Sequence, residues 1–221
     1  MTLPRKYQNR YVEVRYFLSS YRALCDARHA ITGLERMLEH ESAMLSDWKV
    51  VWIGICTILR TSIDLFRVDS NICIDKNIRL ELKNEWSLIK EVKEDHSIFW
   101  DFLRHERDAI IHEYDWRAYE AWLKPDGSIQ QCSSSLLGLR DAASRSVLLM
   151  KSGKFKGQDS LELLRQSADW VEERIFSAIR RAGFDPEERR SLSGFNLPCP
   201  DKSQRVLAST ILGASIATSV S

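Results

Sequence analysis

Two long stretches with apolar residues three and four apart set what this chain can become. From about Tyr11 to His40 the positions Val14, Phe17, Leu18, Tyr21, Leu24, Ile31, Leu34 and Leu38 recur at that spacing. It is the spacing that brings side chains onto one face of an α-helix. Trp48–Leu59 follows, apolar on nearly every side, with Ser46 and Asp47 offering cap chemistry before it. Such a run is too short to cross a bilayer, which takes about 20 apolar residues. It reads instead as the central, surrounded helix of a bundle, continuing through Asp64 to about Val68. Residues Asp69–Asn77 read as a connection, Ile78–Lys93 as a third helix, and Ser97–Trp116 as a fourth, capped by Asp95 or Ser97. Four such helices on short links predict an all-α, up-and-down antiparallel bundle.

The fourth helix, SIFWDFLRHERDAIIHEYDW, carries the chemistry. On a wheel of about 100° per residue, Trp100, Leu103, Ile110, Ile111 and Tyr114 form one stripe with Arg107 in its middle. Asp108, His112 and His105 lie on the adjoining flank. A cation centred on an apolar face is costly unless it finds partners. This predicts either a pairing carboxylate, Asp64 being one candidate, or a polar pocket against that face.

Arg107, Asp108, His112 and Tyr114 together spell R-x4-H-x-Y. That spacing resembles the signature of the HEPN superfamily, in particular the HepT-like toxins of HEPN–MNT toxin–antitoxin pairs. The motif covers eight residues, and the rest of the chain agrees in architecture alone. The resemblance implies a HEPN-like helical bundle acting as a metal-independent endoribonuclease, with Arg107 and His112 as catalytic residues. It implies a homodimer whose two copies of this helix enclose RNA. It also implies an MNT-like nucleotidyltransferase antitoxin as partner, with Tyr114 as the residue that enzyme would modify with AMP. HepT-like toxins are usually shorter, so everything beyond Trp116 would be an addition.

The residue types suit that chemistry. A histidine titrates near neutrality and can exchange a proton with a ribose 2′-hydroxyl or a leaving oxygen. An arginine fork holds phosphate and stabilises its developing charge. Arg107 and His112 stand five residues apart, about 140° around a regular helix, so a second surface has to complete any cleft. Asp108 would either orient the His112 imidazole or remain a solvated acid. Tyr114 reads as a core aromatic with its hydroxyl at the rim or as the regulatory residue, and Arg104 as a further phosphate contact or a surface cation.

Beyond Trp116 the period changes. AYEAWLKPDGSIQQC alternates about Pro125-Asp126-Gly127, which predicts a small hairpin. A short helix is expected within Ser133–Met150. Lys151–Gly157, KSGKFKG, lacks the spacing of a phosphate-binding P-loop. It reads as a solvated basic loop, with RNA contact through its lysines and Phe155 as the alternative. Asp159 and Glu162 form a capping-box pattern for an extra C-terminal helix ending near Gly183. The domain is expected to span 1–186, with 187–221 a loose tail.

Composition narrows the remaining possibilities. A net charge of +1 excludes a global basic field, so any RNA contact has to be local. Five scattered cysteines without a CxxC pair argue against a disulfide framework and a zinc site. With no apolar leader at MTLPRKYQNR, a cytoplasmic protein without membrane anchor, metal or cofactor is expected. The alternative function is a non-catalytic HEPN nucleotide- or RNA-binding module, or a helical interaction protein supporting a nucleotidyltransferase.

Overall fold

The structure is a computed structural model that describes residues 11–39, 47–131 and 145–191. Within it, Val12–Glu188 forms one compact unit. It is mostly helical. Its α-helices are α1 (Ser19–Glu39), α2 (Asp47–Ile72), α3 (Lys76–Glu91), α4 (Arg104–Glu113) and α5 (Ser160–Arg181). Three strands, β1 (Ala118–Leu123), β2 (Ile129–Gln131) and β3 (Arg145–Met150), form an antiparallel sheet in the order β2-β1-β3. No described helix is long and apolar enough to cross a membrane.

The first helix starts later than its apolar pattern suggests. Val14–Phe17 is a 3-10 turn, and Leu18 is extended. The reason is a long-range cap. The Asp69 carboxylate on α2 accepts hydrogen bonds from the backbone amides of Ser19 and Ser20, each at 2.9 Å. Those are two of the donors that a helix start leaves without intrahelical partners. Asp69 therefore belongs to α2, which runs on to Ile72, and not to a connection. Cys73–Asp75 alone links α2 to α3, where Asp75 accepts from the amides of Asn77 and Ile78 and so starts α3 at Lys76.

α2 is central, packing on α1, α3, α4 and α5. It is not covered all round, however. Trp48, Trp52, Ile55, Cys56, Leu59, Ile63 and Phe66 are buried along one face, while Val50 is 75% exposed. α5, expected as an addition, is a full member of the bundle and packs on α1, α2 and α3. Its place is secured by Glu85 of α3, wholly buried, which accepts from Arg174 (3.2 Å) and Arg181 of α5. The motif helix α4 is instead a short element set on α2.

The approach to α4 differs from the sequence expectation too. Lys93–His96 is a 3-10 turn, and Ile98–Leu103 is a π-helical segment with no side-chain cap from Ser97. The Arg104 amide bonds the Phe99 carbonyl, five residues back. A π-turn inserts an extra residue and shifts the phase of what precedes it.

The predicted hairpin is present. Asp126 Oδ1 accepts from the Ser128 amide at 2.8 Å, and Gly127 takes φ 81°, the left-handed region where glycine has no Cβ penalty. β3 pairs with β1 from Ala118↔Met150 to Leu123↔Arg145. Arg145–Met150 is thus a strand and not part of a helix; its Val147 and Leu149 pack with Ala121, Tyr119 and Leu123. The rest of the expected Ser133–Met150 helix, 133–144, lies outside the described residues, as do Ser46, His40 and 192–221 of the expected tail. Asp159 caps α5 as the sequence pattern predicts, accepting from Leu161 and Glu162.

Candidate functional site

Leu103, the residue just before α4, and Ile110 lie on nearly one line along the helix axis, and Glu106 and Arg107 flank that line on opposite sides. Packing buries the side bearing Phe102, Glu106 and Ala109. The charge on the buried face is therefore Glu106, only 2% exposed, and Arg107 stands at the edge. Ile111, expected on the core stripe, is 52% exposed.

Arg107 joins a cluster that spans two helices. Its Nη1 donates to Asp108 Oδ1 at 2.9 Å, and Arg60 Nη1 of α2 donates to the same oxygen at 2.6 Å. Arg104 Nε stands 3.5 Å from Asp108 Oδ2, and Arg60 Nε 3.6 Å from Asp64 Oδ2. Partial burial disfavours the Asp108 carboxylate. The hydrogen bonds from Arg107 and Arg60, together with their charges, outweigh this and hold it below its ordinary value. Three guanidiniums thus face two carboxylates, Asp108 and Asp64, which leaves a local excess of positive charge. All three guanidiniums retain solvent access. Asp64, one candidate partner for Arg107, pairs with Arg60 instead, and Asp108 serves arginines and not the His112 imidazole. Arg60 was not legible as a site residue, because its only sequence signal is an i,i+4 relation to Asp64.

His112 is exposed on the last turn of α4. His105 lies against Arg117, beyond the helix end. Tyr114 leaves the stripe altogether. It terminates α4 in the left-handed conformation, φ 52° and ψ 31°, and is 78% exposed with its ring edge-on to Trp116. It is the one non-glycine residue at positive φ among the described residues. Trp116 continues into an aromatic group with Trp48 and Trp52, with the Lys49 ammonium over its ring.

On the other side of α4 the Lys151–Gly157 loop folds back on the π-segment. Gly157 N donates to Met150 O at 2.8 Å, Lys154 Nζ reaches Asp101 at 3.1 Å, and the Phe155 ring packs on Phe102. The loop is thus an ordered wall. It encloses a cavity of about 280 Å³ lined by Trp100, His105, Glu106, Lys154 and Phe155 among others. Glu106 Oε2 is buried without a hydrogen-bond partner. Desolvation pushes the Glu106 carboxyl up to about 7; Asp115 adds to this, while Arg117 and Lys151 oppose it. The buried thiol of Cys56 on α2 lies close enough to feel it, and burial pushes that thiol up in turn. Among the described residues no three His, Cys, Asp or Glu side chains stand together as a metal site.

No protein-family model matches the chain, and nothing similar to it was found among curated proteins or solved structures.

Proposed function

We propose that this protein is a HEPN-like, metal-independent endoribonuclease of a toxin–antitoxin or defence system, working as a homodimer in the cytoplasm. The observation that carries this reading is the placement of Arg107. It is not neutralised in the core but held at the surface in an arginine cluster, with His112 exposed on the same short helix. Arg107, Arg60 and Arg104 supply donors for a scissile phosphate and its neighbours. The ribose 2′-oxygen attacks phosphorus and the 5′-oxygen leaves, giving a 2′,3′-cyclic phosphate and a 5′-hydroxyl. His112 takes the 2′-hydroxyl proton or returns one to the leaving oxygen. Asp108 orders the arginines, and an incoming phosphate competes with it for their donors. A second copy of α4 supplies the missing wall of the cleft. The exposure of Tyr114 suits modification by a partner nucleotidyltransferase.

The test is incubation of the purified protein with a mixed RNA pool in EDTA, beside Arg107→Ala and His112→Ala. Cleavage with cyclic-phosphate ends by wild type, lost at least about a hundredfold in each variant, is the expected result. A folded, unmodified dimer that leaves RNA intact overturns the nuclease. One observation favours the second reading, a non-catalytic nucleotide- or RNA-binding module: Asp108, the acid nearest in sequence, is engaged by arginines and does not orient His112. That reading predicts RNA retention without cleavage, weakened by Arg60→Ala and Arg107→Ala alike.

A further inference from the structure

The cavity behind α4 combines features that ordinary core packing avoids. Glu106 is a carboxyl group 2% exposed whose Oε2 has no hydrogen-bond partner. A buried polar atom left unsatisfied is costly, and folded proteins hold few of them. Yet the residue lines an open cavity of about 280 Å³ and not a sealed core. Trp100 contributes an aromatic wall that already carries the Lys93 ammonium 5.0 Å and the Arg104 guanidinium 5.1 Å from its ring centre, its orientation held by a 2.9 Å bond from Nε1 to the Ile89 carbonyl. Phe155, anchored on Phe102, contributes another. Gly153, at φ 79°, turns the loop that closes the cavity and brings Lys154 to its rim.

The charges select the occupant. The other charged groups of the lining are paired, Lys154 with Asp101 at 3.1 Å and His105 with Arg117, which leaves the Glu106 carboxyl as the group without a polar partner. The Glu106 carboxylate disfavours a phosphate inside. What fits is a flat, neutral heterocycle with N–H donors for the carboxylate and faces for the aromatic walls. The volume lies near the small end of ligand pockets, about 300 Å³, and suits one base and not a whole nucleotide. The base's phosphate would remain outside, and Arg104 stands there, its guanidinium 5.1 Å from the centre of the Trp100 ring and beside Asp108.

We propose that the Glu106 cavity is a guanine-binding subsite that seats one unstacked base of RNA while its backbone lies on the Arg60–Arg104–Arg107 cluster. Among the four RNA bases only guanine presents two adjacent donors, N1–H and the N2 amino group, to a single carboxylate. Uracil has one donor between two carbonyls. Adenine and cytosine set their amino group beside an acceptor. The choice of a nucleobase as occupant rests on the RNA reading above; the pocket itself rests on its own geometry.

Calorimetric titration of the full chain with GMP, AMP, CMP and UMP at pH 8, for wild type, Glu106→Gln and Arg107→Ala, decides the matter. GMP is expected to bind wild type roughly tenfold or more tightly than the other three. Glu106→Gln replaces one acceptor by a donor without changing shape, and should lose roughly tenfold to a hundredfold in GMP affinity. A thermal melt of this variant checks that it folds. Arg107→Ala should keep the guanine preference. Equal binding of all four nucleotides, no binding of GMP to folded wild type, or undiminished binding to Glu106→Gln each overturns the subsite. GMP selectivity in a protein that cuts no RNA keeps the pocket and removes the nuclease. RNA cleavage without GMP selectivity does the reverse.

Discussion

At the scale of single residues, Glu106 has the clearest consequence for stability. Its ordinary value of 4.5 is raised to about 7, first by desolvation. Between those two values the folded chain keeps a proton that the unfolded chain has lost. Stability contributed by this site therefore falls as pH rises from about 4.5 to 7, and the full cost is present above 7. Glu106→Gln mimics the protonated form at every pH. Relative to wild type it should be nearly neutral at pH 4.5 and more stable by up to about 3 kcal/mol at pH 8. Urea unfolding at the two pH values checks this, and a difference that does not change with pH would contradict it. Tyr114 is the other residue whose backbone sets it apart. A tyrosine in the left-handed region costs on the order of 1 kcal/mol, and that cost turns its ring away from the α4 stripe into solvent.

At the scale of elements, polar contacts between helices decide where helices begin and which of them pair. Asp69 on α2 starts α1 by capping two amides, one of them at the buried Ser20. Asp69→Ala should cost about 1–2 kcal/mol, a fall in Tm of roughly 2–8 °C for a unit of this size. Asp69→Asn, which keeps one acceptor, should lose less. A thermal melt that is the same for wild type and Asp69→Ala would remove Asp69 as the cap. Glu85 joins α3 to α5 through Arg174 and Arg181, both of which keep some solvent access while Glu85 has none. Its truncation to alanine leaves two cations without their shared acid and should destabilise by about 2–4 kcal/mol. Hydrogen exchange should then rise first along α5, where the anchor is lost. Uniform exchange across the bundle would argue against this role.

At the scale of the whole molecule, a net charge of +1 means that no bulk field attracts nucleic acid. On the proposed reading, affinity for RNA would come from the few cations gathered around α4. The salt dependence of RNA binding should accordingly be shallow, near the slope of about −0.7 per phosphate contact expected for single strands and only a few contacts in total. Removing Arg60 or Arg104 should each reduce that slope by close to one contact. A steep slope unaffected by either variant would place the RNA elsewhere on the surface.

What the sequence determined by itself was the long helices α1, α2, α3 and α5, the hairpin at Pro125-Asp126-Gly127 and the cap of α5. Each depends on contacts within a few residues, which spacing and turn chemistry record directly. It also brought Arg107, Asp108, His112 and Tyr114 onto one segment. Only the tertiary structure decided which side of the Leu103–Ile110 line would face inward. Glu106 and Arg107 flank that line almost equally, and the choice fell to Phe102 and Ala109 packing into the core. The partnership of Arg60 with Asp108, the Asp69 cap and the Glu106 cavity were invisible for the same reason. They join residues 48, 49 or more positions apart, or a helix to a distant loop, and local pattern holds no record of such meetings.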